Sequence, residues 1–299
     1  MKWSDFSKLI KLRLTFLVTF SASISFIIAV KANGGDTWGS LYSSTMWINW
    51  VKLVVGGFLV TSAANSFNEV IEVKTDKLMK RTMDRPMPAG RMTTGQGLVL
   101  GLGMGMLGTY LLGSLNILTG LLSVFSILLY AFVYTPLKRR SGVTAVVVGA
   151  IPGALPALIG YVAGQPHGRI DEIALILFSI QFIWQFVHFW AIAWVLDDDY
   201  KLGGFRLLPT GKRDKASAVI TFIFAIIMVP VSLLPTIYGY GGYYVGGVSL
   251  AMSLLFLYQA FNLLRTLEIT AARKLMFGSF YYLPVVQLMF LFDFIGKVK

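Results

Sequence analysis

Residues 48–91 read INWVKLVVGGFLVTSAANSFNEVIEVKTDKLMKRTMDRPMPAGR, an apolar run that passes directly into a ladder of amide and acidic side chains. The apolar part, 48–68, is long enough to cross about 30 Å of hydrocarbon as a helix. Continued at about 100° per residue, that helix brings Asn65, Asn68, Glu72 and Asp76 within roughly 80° of one another on one face. Carboxylates near a helix C-terminus meet the negative end of its dipole, so the ladder needs a cation beside it. A divalent ion with oxygen ligands suits the position, and the Lys and Arg that follow suit an anion carried by that metal.

The rest of the chain sets the class. With 56% hydrophobic residues, 13% charged residues and a mean hydropathy of +0.71 over 299 positions, the composition is that of an all-α integral membrane protein. Eight further apolar stretches, near 14–31, 97–113, 115–135, 143–164, 172–196, 216–238, 242–264 and 276–296, bring the expected spans to nine. The first follows a basic start without a small-residue cleavage site and reads as a retained helix. No soluble segment or low-complexity tract interrupts the pattern, so residues 1–299 are expected to form one transmembrane domain.

Placing the N-terminus in the cytoplasm puts 21 of the 26 Lys and Arg on the inner side, with the C-terminus outside. That asymmetry accounts for the net charge of +12 without nucleic acid as a partner. The absence of cysteine excludes disulfides and thiolate metal ligands. GLVLGLGMGMLG at 97–108 reads as close helix packing through small residues. Pro152 and Pro156 in GAIPGALPALIG are expected to bend the fifth span.

The sixth span repeats the logic of the second. Gln181, Gln185 and His188, followed by Asp199 if the helix continues, return to nearly one direction. Polar groups in a membrane helix face the protein interior or a water-filled cavity, and the lesser alternative, for the glutamines more than for His188, is interhelical hydrogen bonding for packing. Both spans run from outside to inside, so two acidic clusters reach the same face. A diphosphate, which carries close to three negative charges, cannot approach bare carboxylates; Mg²⁺ bridging carboxylate and phosphate oxygens, with Lys and Arg taking the remaining charge, removes that obstacle. Candidate cations are Lys80, Arg81, Arg85 and Arg91 after the first cluster, Lys138, Arg139 and Arg140 after the fourth span, and Lys201 and Arg206 after the second cluster. Arg81 and Arg85 follow the ladder immediately.

These paired motifs resemble those of the UbiA superfamily of intramembrane prenyltransferases. More narrowly, NSFNEVIEVKTDKLMKRTMDRPMPAGR, YTPLKRRS, GAIPGALPALIGY and WQFVHFWAIAWVLDDDYKLGGFRLLP resemble its protohaem IX farnesyltransferase branch, with RTMDRP and WQFVHFWAIA discriminating best. The similarity runs from KLRLT at 11–15 to the ninth span. It implies a nine-helix bundle around a central cavity open to the cytoplasm, in a bacterial inner membrane. It implies Asn68, Glu72, Asp76 and Asp199 as Mg²⁺ ligands, with Tyr200 completing a DY pair. Asn68, Arg81, Arg85, Lys138, Arg139 and Lys201 are the implied diphosphate contacts, and Asn65, Arg81, Arg85 and His188 the implied catalytic group.

The implied reaction joins the farnesyl carbon of farnesyl diphosphate to a vinyl group of haem b, and water completes a hydroxyethylfarnesyl side chain. Haem b is then a substrate, with a haem A synthase or an oxidase assembly factor as the implied partner. The chain has only two histidines, His167 in an expected outer loop and His188 within the sixth span, which argues against a resident bis-histidine haem. Three roles are open to His188: iron ligand, propionate contact, or base toward the incoming water. Two positions depart from the superfamily pattern. Glu72 stands where many members have Asp, and Gly203 stands where a full DxxxD motif would supply a second carboxylate.

Two other readings fit the composition. A prenyltransferase acting on an aromatic acceptor would share the metal chemistry and differ only in its acceptor. A secondary transporter would also place Asn, Asp and His on inward-facing helices, but nine spans do not divide into matched halves and these acids gather at the membrane edge.

Overall fold

The computed structural model describes residues 2–34, 43–138 and 142–295. A short helix α1 (Trp3–Leu9) precedes α2 (Leu12–Gly34), α3 (Ser44–Asp76), α4 (Thr94–Gly113) and α5 (Ile117–Leu128). A π-helical turn, Leu129–Tyr134, then leads into α6 (Thr135–Leu137). The second half comprises α7 (Gly142–Ala163), α8 (Glu172–Val195), α9 (Asp197–Leu202), α10 (Lys215–Ser232), α11 (Leu234–Ile237), α12 (Tyr243–Thr266) and α13 (Ile269–Phe292). Among the described residues nine helical segments are long and apolar enough to cross a membrane, as the sequence led us to expect. A multi-pass membrane protein is the only architecture that satisfies so many apolar helices together.

The helices pack side by side, consecutive ones mostly as neighbours. Helix α3 lies between α2 and α4, α7 lies between α2 and α8, and α8 touches both α10 and α13. At 1.5 Å per residue the 33-residue α3 is about 50 Å long, well beyond the hydrocarbon thickness of roughly 30 Å. Its last turns therefore carry the acidic ladder away from the apolar interior.

Close helix approach depends on small residues. A Cβ at Gly108 of α4 would stand 2.8 Å from the Gly56 carbonyl oxygen of α3, so the glycine-rich stretch of α4 does serve packing. Gly160 of α7 sits against the backbone of α2, where an added Cβ would collide with the carbonyl of Ala22. Backbone cannot swing aside as a side chain can. Gly160→Ala is expected to destabilise the protein by about 1–3 kcal/mol in detergent unfolding experiments; unchanged stability would mean that α2 and α7 can separate at little cost.

Candidate active site

The acidic ladder of α3 is buried and bound to basic side chains from three other parts of the chain. Asn65, Asn68, Glu69, Glu72 and Asp76 are all buried. Asn68 Nδ2 donates to Glu72 Oε2 at 2.9 Å and to Thr135 Oγ1 at 3.0 Å, while Lys11 Nζ donates to Asn68 Oδ1 at 2.8 Å. Lys138 Nζ stands 2.7 Å from Glu72 Oε1. The Arg85 guanidinium spans two acids, with NH1 2.6 Å from Asp76 Oδ2 and Nε 3.4 Å from Glu69 Oε1. Asn65 turns the other way and donates to the Ile10 carbonyl at 3.2 Å, tying α3 to the N-terminal segment.

Two of the charged residues here were not singled out from the sequence. Glu69 lies only about 20° from Asp76 on the helical wheel, so its place on the acidic face was available from spacing alone. Lys11 lies 57 positions from the amide it contacts and carries no comparable local signal. Desolvation, together with the nearby Arg85 and Lys138 charges and against the opposing pull of Glu69 and Glu72, lowers the Lys11 ammonium to about 7.

The second cluster arrives by a different route from the one expected. Helix α8 does not continue to Asp199. Leu196, at φ −102° and ψ 11°, interrupts it, and α9 starts afresh at Asp197. The break lets α9 fold against the segment after α3, where the Lys80 N–H donates to Asp199 Oδ1 at 2.7 Å. This close approach also gives Gly203 a physical reason. A Cβ there would meet Met79 Sδ at 2.9 Å and Thr75 Cγ2 at 3.0 Å, so a larger side chain would have to displace the Met79 side chain.

The remaining candidates divide between the two clusters and the surface. Lys201 turns back onto Asp197 at 2.7 Å, and Arg213 holds Asp198 at 2.9 Å. Arg91 bonds Asp5 and Asp84, fastening α1 to the segment after α3. Arg139, with Arg140, lies outside the described residues. Arg81 places its guanidinium 5.6 Å from the centre of the Tyr200 ring.

Next to the acidic ladder lies a cavity of about 400 Å³, lined from α2, α3, the π-helical turn, α7, α8 and α13. Asn65, Arg81, Tyr130, Tyr134 and Tyr200 line it, as do Trp184 and His188. The π-helical geometry turns Tyr130 and Tyr134 into the wall, a local departure often found at functional sites. Pro152 and Pro156 of α7 also line it. Leu14, Leu17 and Phe20 of α2 and Phe280 of α13 are both cavity-lining and exposed, so the cavity reaches the apolar outer surface. Gln181 joins Ser21, Gln287 and the Gly153 carbonyl in an interhelical network, the packing role considered above.

A hard divalent cation fits this donor set. Among the described residues, Glu69 Oε2, Asp76 Oδ1 and Asp199 Oδ2 are buried oxygens with no hydrogen-bond or ion-pair partner. Such orphaned carboxylate oxygens are costly unless a cation reaches them. No three acidic or histidine side chains among the described residues are already gathered around one point, and Arg85 and Lys138 are paired with Asp76 and Glu72.

The sequence model of the UbiA prenyltransferase family matches residues 19–283. The chain belongs to that family. A relative from Cytophaga hutchinsonii, named protoheme IX farnesyltransferase, is 41% identical over 294 residues and covers 98% of each chain. One of the same name from Christiangramia forsetii is 38% identical, covering 97% of this chain and 93% of its own. Among solved structures, a digeranylgeranylglyceryl phosphate synthase superposes with a TM-score of 0.78 at 18% identity, over 98% of both chains. A UbiA homologue from Archaeoglobus fulgidus bound to GPP and Mg²⁺ superposes with a TM-score of 0.69 at 10% identity, over 96% of this chain and 99% of its own. These structural likenesses establish the shared fold. The UbiA-family chain is thus a membrane-embedded prenyltransferase with its acidic ladder beside the bundle cavity.

Proposed function

We propose that this UbiA-family enzyme transfers the farnesyl group of farnesyl diphosphate to a vinyl group of haem b, giving haem O. The supporting observation is the juxtaposition of a buried, cation-bound acidic ladder with an aromatic, lipid-reaching cavity lined by one partly buried imidazole, that of His188. The names of full-length relatives at about two-fifths identity point to the same acceptor.

In this reading Asn68, Glu72, Asp76 and Asp199 hold Mg²⁺, with Glu69 supporting Arg85. Mg²⁺ bound there would supply Lewis-acid stabilisation of the diphosphate. Arg81, Arg85, Lys138, Arg139 and Lys201 take diphosphate charge, which requires Arg85 and Lys138 to shift from carboxylate to phosphate oxygens. Asn65 holds the ladder against the N-terminal segment, and Tyr130, Tyr134 and Tyr200 shield the allylic carbon from water. The C1–O bond of farnesyl diphosphate breaks, C1 bonds to the terminal vinyl carbon, and diphosphate departs. Water adds at the inner vinyl carbon and loses a proton, which leaves the hydroxyethylfarnesyl group. Haem b enters as substrate through the lipid-reaching side of the cavity.

The whole chain acts as one prenyltransferase domain in a bacterial inner membrane. Its basic loops and the diphosphate end of the cavity face the cytoplasm, and a haem A synthase or oxidase assembly factor accepts the product. Incubating purified protein with haem b, farnesyl diphosphate and Mg²⁺ is expected to give a farnesylated hydroxyethyl haem by mass spectrometry. Glu72→Gln and Asp76→Asn are each expected to lower its formation at least 100-fold, the scale on which removed charge-stabilising groups act. An aromatic acceptor consumed in place of haem would move the enzyme to another branch of the family.

A further inference from the structure

Among the described residues, His188 has one hydrogen-bond partner, Ser279 of α13, and the Phe280 ring of the same helix packs edge-on against it. Its Nδ1 lies 2.7 Å from Ser279 Oγ, and that hydroxyl donates its own proton to the Met276 carbonyl at 2.6 Å. A hydroxyl has one proton to give; with that proton on the Met276 carbonyl, the hydrogen-bond network assigns Ser279 Oγ as acceptor toward His188 and the ring hydrogen to Nδ1. The lone pair of the neutral ring is then on Nε2, for which no hydrogen-bond partner exists among the described residues. The backbone carbonyl of the same Ser279 accepts from Trp184 Nε1 at 3.0 Å. Trp184 and His188 are stacked, 4.3 Å between ring centres and 16° from parallel. Both rings line the cavity. Ser279 therefore fixes the tautomer of one ring and the position of the ring stacked on it.

Resting on the haem reading above, we infer that Ser279 is a positioning residue that presents His188 Nε2 as an axial ligand to the iron of the acceptor haem. The alternatives fit the surroundings less well. A propionate contact needs a donor at Nε2, and this tautomer has none. A base that took a proton at Nε2 would become a cation inside a cavity with no Asp or Glu in its lining, a costly charge without a partner. Iron ligation leaves the ring neutral. It also follows the general pattern in which a ligating histidine donates its other N–H to an oxygen that orients it. Ligation from α8 would hold the porphyrin edge in one register relative to the acidic ladder, so that one vinyl group faces the allylic carbon.

The test uses the full-length enzyme in lipid nanodiscs loaded with haem b. Resonance Raman spectra of the photolysed ferrous CO adduct report the iron–histidine stretch, whose frequency responds to the hydrogen bond at Nδ1. We expect this band in the wild type and in His167→Ala, and its loss in His188→Gly. Ser279→Ala should move the band to lower frequency and weaken haem affinity about tenfold; Ser279→Thr, which keeps the hydroxyl, should restore both. A purely structural role for Ser279 would leave the band where it was. A band that persists in His188→Gly, or an unchanged frequency in Ser279→Ala, would overturn the inference. Wild-type enzyme that farnesylates haem yet shows no such band would also overturn it while leaving the haem reading intact. Failure to bind or modify haem at all would overturn both.

Discussion

Replacing Arg85 with methionine is expected to cost about 3–5 kcal/mol of stability and to abolish turnover. Arg85 is the shared counter-ion of Glu69 and Asp76, whose side chains are both fully buried, and it reaches them with different nitrogens of one planar group. Methionine fills much of the same space but deprives two buried carboxylates of the guanidinium paired with both, leaving Glu69 only the more distant charge of Lys11. The expected loss exceeds what a surface pair contributes, because the remaining partners keep their desolvation cost. Charge can be separated from packing by removing the acids as well. Arg85→Met combined with Glu69→Gln and Asp76→Asn should recover most of the stability and none of the activity. Added Mg²⁺ should stabilise the single variant and have little effect on the triple one. Equilibrium unfolding in mixed micelles measures all three. A single variant that loses less than about 1 kcal/mol would show that the acids are already compensated by other groups.

The same cluster shows which features were legible beforehand. Membrane spans are set by a length requirement that hydropathy reads directly, which is why nine expected segments correspond to nine helical segments among the described residues. Their ends follow backbone hydrogen bonding, which hydropathy does not report: the second span reads as 48–68, whereas α3 runs from Ser44 to Asp76 with its polar turns still helical. Asp199 was placed on the face of Gln181, Gln185 and His188 on condition that the helix continue, and the structure breaks that helix at Leu196, a change of backbone angles that nothing in VLDDDY marks. Glu69 could have been found by completing the helical wheel. Lys11 and Ser279 could not, because each acquires its role only through contacts made across the fold, the latter with a partner 91 positions away.

Arg81 is expected to behave oppositely to Arg85, although the two lie four residues apart. Among the described residues it is the only charged side chain in the cavity lining, and no carboxylate is bonded to it. Its guanidinium rests on Tyr200, which orients the plane without neutralising it. Its charge is therefore available to an incoming anion, whereas Arg85, Lys138, Lys201 and Arg213 are already committed to acids. Arg81→Met should leave stability within about 0.5 kcal/mol of wild type, since it strands no buried partner. It should lower kcat about 10²- to 10³-fold if the guanidinium meets charge that develops on the departing diphosphate. Because that charge grows as the C1–O bond breaks, kcat should fall further than KM rises. Arg81→Lys should recover only part of the rate, since an ammonium keeps the charge and loses both the planar fork and the stacking on Tyr200. Steady-state kinetics with farnesyl diphosphate as the varied substrate, beside thermal unfolding of the same preparations, separate the two arginines. Turnover of Arg81→Met within twofold of wild type would assign the departing charge to Lys138 and Arg85 instead, released from their carboxylates once the metal is bound.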